Sequence, residues 1–144
     1  MANHILVPVD DVEHSERVIE YVINTMNTPS ITLLHVLDPV SSVAFTDAEE
    51  FDMEAYQRII EQQRESAEDM LAALETDLEA AGYDVNSVIK SGPAARRILE
   101  WVDENEVDHI VMASEGRTGV GRILLGSVAE MVTRRAPVPV TIVR

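Results

Sequence analysis

Short apolar runs rich in β-branched residues alternate with longer amphipathic stretches along the whole chain, and this alternation most constrains the fold. Short apolar runs predict buried strands, whereas apolar residues spaced three and four apart predict helices. The five predicted strands are His4–Val9, Ile31–Leu37, Val85–Ile89, His109–Ala113 and Val138–Val143. The four predicted helices are Glu13–Met26, residues 49–81, Ser91-Gly92-Pro93 to about Asn105, and Gly126-Ser127 to about Arg135. Ser41–Ala48 is predicted to be a loop.

Strands that alternate with helices favour an α/β fold, a single doubly wound parallel sheet with helices on both faces. A length of 144 residues suits one domain, so we assign residues 1–144 to a single domain. In open sheets of this kind, ligands bind beyond the carboxyl ends of the strands, where the strand order reverses. Asp10, Val36 and Ala113–Gly116 lie at such ends in the sequence, and they therefore point to one crevice.

Charge and composition exclude several classes of function. The chain has 11 basic and 26 acidic residues, a net charge of −15, and Lys90 is its only lysine. Binding to nucleic acid or to an anionic membrane requires a basic surface, so we expect neither partner. The chain has no cysteine, and Met-Ala-Asn-His leads into a strand without the pattern of a signal peptide, so we expect a cytoplasmic protein. An acidic, lysine-poor composition indicates a halophilic source, because concentrated salt screens the repulsion among acids.

The titratable side chains show no spacing typical of a catalytic or metal site. His4, His14, His35 and His109 lack metal-ligand spacing, so we predict structural roles for them and no metal site. No Ser-His-Asp set or carboxylate pair can be assigned from spacing, so we name no catalytic residue.

A glycine-rich segment after the fourth predicted strand carries the strongest functional signal. Residues 111–127 read Val-Met-Ala-Ser-Glu-Gly-Arg-Thr-Gly-Val-Gly-Arg-Ile-Leu-Leu-Gly-Ser. Backbone amides in such a loop and at the helix that follows form an anion site, and Arg117 and Arg122 can bind phosphate oxygens. Residues 116–136 hold four arginines and one glutamate, a net of +3, whereas residues 1–115 hold six basic and 25 acidic residues. The segment therefore predicts a nucleotide-phosphate site, although it lacks the lysine of a Walker P-loop.

These residues, taken in order, resemble the universal stress protein family. Its ATP-binding members carry Gly-x-x-Gly, nine residues, and then Gly-Ser or Gly-Thr. Here Ala113-Ser-Glu-Gly116, nine residues and Gly126-Ser127 match all but the first position. The resemblance extends over nearly the whole chain, through Asp10, Gly92-Pro93, Gly126-Ser-Val-Ala-Glu130 and Pro137-Val-Pro-Val-Thr-Ile-Val143. It implies the adenine nucleotide alpha-hydrolase-like sheet, with strand order 3-2-1-4-5, and an ATP site.

The resemblance also implies which residues form that site. Carried over by position, Pro8, Val9 and Asp10 line the adenosine, and Val36 offers backbone groups to adenine. Two sets hold ribose and phosphates: Ala113, Ser114, Gly116, Arg117, Thr118, Gly119 and Arg122, and Gly126, Ser127, Val128 and Ala129. From the residues alone, Asp10 can accept a ribose hydroxyl, cap the next helix or stay solvated. The choice among ATP, ADP and AMP, and any need for Mg²⁺, stays open.

Three functions remain open at this point. The leading one is a cytoplasmic regulatory protein that binds ATP or a related adenine nucleotide as a ligand or switch. The second is a slow ATP-cleaving or adenylyl-transferring enzyme, for which Arg117, Arg122 and Asp10 are present without an evident base. The third is a dimeric interaction module without nucleotide, favoured if Ala113 spoils the pocket. The apolar last strand, Val138–Val143, predicts a homodimer joined through that edge, as the resemblance also implies.

Overall fold

A computed structural model of the chain describes residues 3–38, 53–114 and 125–144. Its five strands are all parallel and follow the order β3-β2-β1-β4-β5. The strands are β1 (His4–Pro8), β2 (Ser30–Leu37), β3 (Asp84–Ser91), β4 (His109–Ala113) and β5 (Val140–Val143). The helices are α1 (Val12–Thr25), α2 (Met53–Ala80), α3 (Ala94–Glu104) and α4 (Ser127–Arg135). The predicted fold class and strand order are confirmed.

Each face of the sheet has its own apolar core because side chains alternate along a strand. On one face, Ile5 and Val7 of β1 pack with α1 and α2 in what we call the first core. On the other face, Leu6 packs with α3 and α4 in the second core. Strands buried on both sides require continuous apolar runs, and this is why β1 and β4 are evident in the sequence.

The ends of the elements differ from the predictions where polar residues or prolines intervene. β5 begins at Val140 and not at Val138, because Pro137 and Pro139 have no N–H to donate to β4. The carbonyl of Pro139 still accepts the amide of Ile110 at 3.0 Å. β3 is longer than predicted, because it pairs with the full length of β2 while polar side chains interrupt its apolar pattern. β1 ends one residue early, at Pro8.

A glycine ends α2, and a proline precedes the first residue of α3. Gly82 has φ +97°, and the amides of Gly82 and Tyr83 bond the carbonyls of Glu79 and Leu78, which closes α2 with a Schellman motif. Pro93 was predicted as the first helical residue of α3, but it is the N-cap, with an extended ψ of 124°. Residues 49–52 of the predicted second helix and the predicted loop Ser41–Ala48 lie outside the described residues.

Candidate functional site

The strand order reverses between β1 and β4, whose carboxyl ends lie side by side. From this point α1 leaves β1 toward the first core and α4 leaves β4 toward the second core. α1 and α4 thus lie on opposite faces of the sheet, and the crevice between two such helices is the usual ligand position in an open α/β sheet.

The turn after β1 is held tightly to β2. The amide of Val9 donates to the carbonyl of Leu34 at 2.9 Å, and the carbonyl of Val9 accepts from Nδ1 of His35 at 2.7 Å. His35 is buried, and because the Val9 carbonyl can only accept, this bond requires a proton on Nδ1. Val9 itself is buried in the first core, and Pro8 is half-buried. Val9 therefore supports the crevice by fixing the turn that presents Asp10.

Asp10 and Asp11 take different roles. Asp11 is the N-cap of α1: one carboxylate oxygen accepts the amide of His14 at 2.8 Å, and the other contacts Nδ1 of His14 at 2.7 Å. The hydrogen bond to Asp11 raises the pKa of His14 because it stabilises the imidazolium. Capping, one of the alternatives for Asp10, thus belongs to its neighbour, and Asp10 has an exposed side chain at the carboxyl end of β1.

The backbone N–H and C=O of Val36 point toward the side of β2 on which β1 lies. The β1–β2 pairing ends at Pro8 opposite Leu34, and the Leu34 carbonyl points toward β1, where it accepts the amide of Val9. Backbone groups alternate in direction along a strand, so those of Val36 also point toward β1. Within the described chain no β1 residue pairs with Val36. One N–H and one C=O therefore face the space beyond the end of β1.

Ala113 fits the strand without strain. It pairs with Val143 in β4, and none of the described non-glycine residues has a positive φ. Its methyl group packs against the first core and so lies on the α1 and α2 face of the sheet. The position therefore does not require glycine, and the departure from the family motif leaves the backbone geometry of β4 regular.

The two ends of the glycine-rich segment are joined by hydrogen bonds. Ser114 donates its amide to the Val143 carbonyl at 2.9 Å and accepts the Gly126 amide on its own carbonyl at 2.8 Å. α4 consequently starts beside the carboxyl end of β4. The remaining predicted site residues of this segment, Gly116, Arg117, Thr118, Gly119 and Arg122, lie outside the described residues.

The N-terminus of α4 has no side-chain cap among the described residues, unlike that of α1. Gly126 is its N-cap, with φ −60° and ψ 157°, and no described side chain accepts a hydrogen bond there. The amides of Ser127, Val128 and Ala129 have no acceptor within the helix, and they carry the positive end of the helix dipole. Ser127 is exposed, Val128 half-buried and Ala129 buried. This helix end has the geometry and the sign of charge that suit an anion.

A second positive segment, which sequence reasoning missed, adjoins the carboxyl end of β3. Residues 85–99 hold Lys90, Arg96 and Arg97 and no acid. Lys90 lies over the ring of Trp101, with Nζ 5.6 Å from its centroid, and Arg97 donates Nε to the Ser91 carbonyl at 2.7 Å. Counting charge in shorter windows would have found it. These two contacts bind Lys90 and Arg97 to the fold.

Each of the four histidines contacts a protein group. His4 bonds Ser30 and Thr32 at 2.8 Å each, and His109 bonds Thr141 at 2.7 Å. Burial lowers the pKa of His109. In residues 3–38, 53–114 and 125–144, no cluster of three or more ligating side chains could hold a metal ion. Over the same residues, no helix is both long and apolar enough to span a membrane.

Comparison with known proteins decides the family. The Universal stress protein family model matches residues 1–144. The chain belongs to this family. It is similar to universal stress protein MJ0577 of Methanocaldococcus jannaschii, with 30% identity over 159 residues that cover 100% of this chain and 96% of the relative.

Solved structures of family members share the fold. The structure of MJ0577 superposes with a TM-score of 0.85 at 29% identity, covering 98% of this chain and 94% of that one. A family protein from Arabidopsis thaliana, solved with AMP bound, gives a TM-score of 0.70 at 17% identity and covers 98% of this chain and 90% of its own. A universal stress protein in complex with cAMP gives 0.66 at 20% identity, with 99% and 97% covered.

Proposed function

We propose that this universal stress protein binds an adenine nucleotide, with ATP as the leading ligand, in the crevice between β1 and β4, and that it works as a regulatory protein. One observation carries the proposal: the Val36 backbone groups and the N-terminus of α4, which has no side-chain cap among the described residues, both lie at the point where the strand order reverses. The Val36 groups suit the base of such a ligand, and the start of α4 suits its phosphates.

The groups present fit a nucleotide chemically. The edge of adenine offers an amino donor beside a ring-nitrogen acceptor, which pairs with one C=O and one N–H of a backbone such as that of Val36. The amides of the first turn of α4 suit a phosphate, and the exposed carboxylate of Asp10 suits a ribose hydroxyl. The AMP and cAMP seen in two solved family members are consistent with this class of ligand.

The positively charged loop strengthens the proposal for phosphate. Arg117 and Arg122 stand in the sequence between Ser114 and Gly126, two residues that the structure joins by a backbone hydrogen bond. Two guanidinium groups in a protein of net charge −15 counter the repulsion that a nucleotide would otherwise meet.

Nucleotide content tests the proposal and separates it from the alternatives. Protein purified without added nucleotide is heated, the released small molecules are separated by chromatography, and fresh protein is then incubated with ATP while ADP and AMP are followed. A ligand or switch predicts bound adenine nucleotide and little turnover over hours. Steady release of ADP or AMP favours the slow enzyme. The dimeric interaction module predicts no nucleotide and no binding in calorimetry, and that result contradicts the proposal.

We also propose a homodimer formed through β5. The strand lies at the edge of the sheet with β4 on one side, and its four residues are half-buried. An apolar edge strand attracts another strand, and a two-fold contact between copies would cover it. The prolines at 137 and 139 limit backbone pairing to Val140 and the residues after it.

A further inference from the structure

Ser15 is a buried hydroxyl without a hydrogen-bond partner in the first turns of α1. Its side chain lies on the sheet-facing side of the helix with Val18, Ile19 and Val22, and the residue is only 2% exposed. Among the described residues its Oγ finds neither a donor nor an acceptor. A buried hydroxyl without a partner destabilises the fold, so its presence calls for a physical reason.

The usual partner of a helical hydroxyl is not used here. Thr25, Thr76 and Thr133 each donate to the carbonyl four residues earlier, at 2.6, 2.9 and 2.7 Å. For Ser15 that carbonyl belongs to Asp11, the N-cap residue, and it accepts the Ser15 amide at 3.1 Å. The hydroxyl itself remains without this bond, so an external partner would satisfy it.

The position of Ser15 places the hydroxyl at the crevice end of the helix. α1 begins at Val12, directly after the turn that follows β1, so its first turns lie at the carboxyl edge of the sheet. The helix packs against β4, whose carboxyl end forms the other side of the crevice. Val18 and Val22 follow one and two turns deeper in the first core.

We propose that the Ser15 hydroxyl is a hydrogen-bonding residue of the nucleotide site and contacts an oxygen of the sugar–phosphate part. The inference rests on the proposed function. A hydroxyl both donates and accepts, so it suits a ribose hydroxyl as well as a phosphate oxygen. Because the Oγ is closed to water in this structure, the bond requires the groups that cover it to move, and it then forms in surroundings where a hydrogen bond is stronger than at the surface.

The test compares Ser15→Ala with a matched control. Thr28 is the other buried residue whose hydroxyl has no partner among the described residues, and it precedes β2 at the opposite, amino edge of the sheet. Thr28→Val removes a buried unpartnered hydroxyl far from the crevice. Calorimetric titrations with adenosine, AMP and ATP are run on wild type and both variants, together with thermal melting without nucleotide.

Ser15→Ala is expected to weaken nucleotide binding about three- to tenfold, the equivalent of one net hydrogen bond. Its melting temperature without nucleotide stays equal or rises, because the substitution removes a polar atom that has no partner in the unliganded fold. Thr28→Val shows the same melting behaviour with unchanged affinity. A loss seen already with adenosine identifies the ribose as the partner, whereas a loss confined to AMP and ATP identifies phosphate.

The failures of the two proposals are distinguishable. Wild type that binds nucleotide while Ser15→Ala binds equally well overturns the role of Ser15 and leaves the proposed function in place. A lower melting temperature of Ser15→Ala without nucleotide also overturns it, because the hydroxyl then has a partner within the fold. An equal loss of affinity in Thr28→Val shows that position is irrelevant and contradicts the inference. Wild type that binds no nucleotide overturns the proposed function itself.

Discussion

Replacing Ala113 with glycine tests whether the departure from the family motif matters to the site. The Ala113 methyl packs against the first core, and the backbone is regular strand paired with Val143. Glycine in a strand costs about 0.5–1 kcal/mol relative to alanine, and a half-buried methyl adds roughly 0.4 kcal/mol. We therefore expect Ala113→Gly to lower the free energy of unfolding by about 1 kcal/mol, a drop in melting temperature of about 3–5 °C at this length.

Two measurements on Ala113→Gly check this reasoning. Urea unfolding followed by the fluorescence of Trp101, the only tryptophan, gives the change in stability. Calorimetric titration with ATP gives the affinity, which we expect to stay within about threefold of wild type, under roughly 0.7 kcal/mol. A gain in affinity of more than about tenfold would show that the methyl obstructs the ligand. A gain in stability would show that the native backbone prefers a glycine conformation.

Three further predictions concern pH, salt and assembly. In an NMR titration His14 should show a pKa above its ordinary value, and Asp11→Asn should lower that pKa. The stability that this pair contributes is fully present below the unfolded-state pKa of His14. It is lost as the pH rises through the higher pKa that His14 has in the folded state. A His14 titration that Asp11→Asn leaves unchanged would refute this assignment. The melting temperature should rise between 0.1 and 1 M KCl, because the screening length falls from about 10 Å to about 3 Å and weakens repulsion among the acids; a flat or falling value counts against this. Replacing Val140 and Ile142 with Asp should convert a dimer into less stable monomers in light scattering, and wild type that is already monomeric at micromolar concentration in high salt would show the dimer to be wrong.

Local signals in the sequence account for much of the fold. β4 and α4 were predicted with the observed bounds, because an apolar strand runs into a glycine-rich loop and Gly126-Ser127 opens a helix. The strand order came from the family resemblance, since alternation of strands and helices fixes the fold class but not which strands are neighbours. β3 is longer than predicted, because it is an edge strand whose polar residues interrupt the apolar pattern.

The candidate site could be predicted less well from the sequence, because it depends on the register between strands and on the direction in which backbone groups point. The Val36 backbone faces the crevice only because β1 stops opposite Leu34, which no local pattern reveals. Asp11, and not Asp10, caps α1, and two adjacent aspartates cannot be told apart by spacing. The unpartnered Ser15 hydroxyl requires knowledge of burial and of every nearby acceptor.

The central claim, nucleotide binding in the crevice between β1 and β4, is tested most directly by calorimetric titration of ATP into wild type, Ser127→Tyr, Gly116→Val and a control. Ser127 is the exposed first residue of α4, so Ser127→Tyr fills the space in front of the N-terminal amides of that helix. Ser66→Tyr adds the same side chain to an exposed position on α2. The proposed site needs the backbone at Gly116 to approach the phosphates closely, and Gly116→Val would block that approach. The account predicts binding by wild type and Ser66→Tyr and none by Ser127→Tyr or Gly116→Val, with all four folded by circular dichroism. Unchanged ATP affinity in both Ser127→Tyr and Gly116→Val would contradict it.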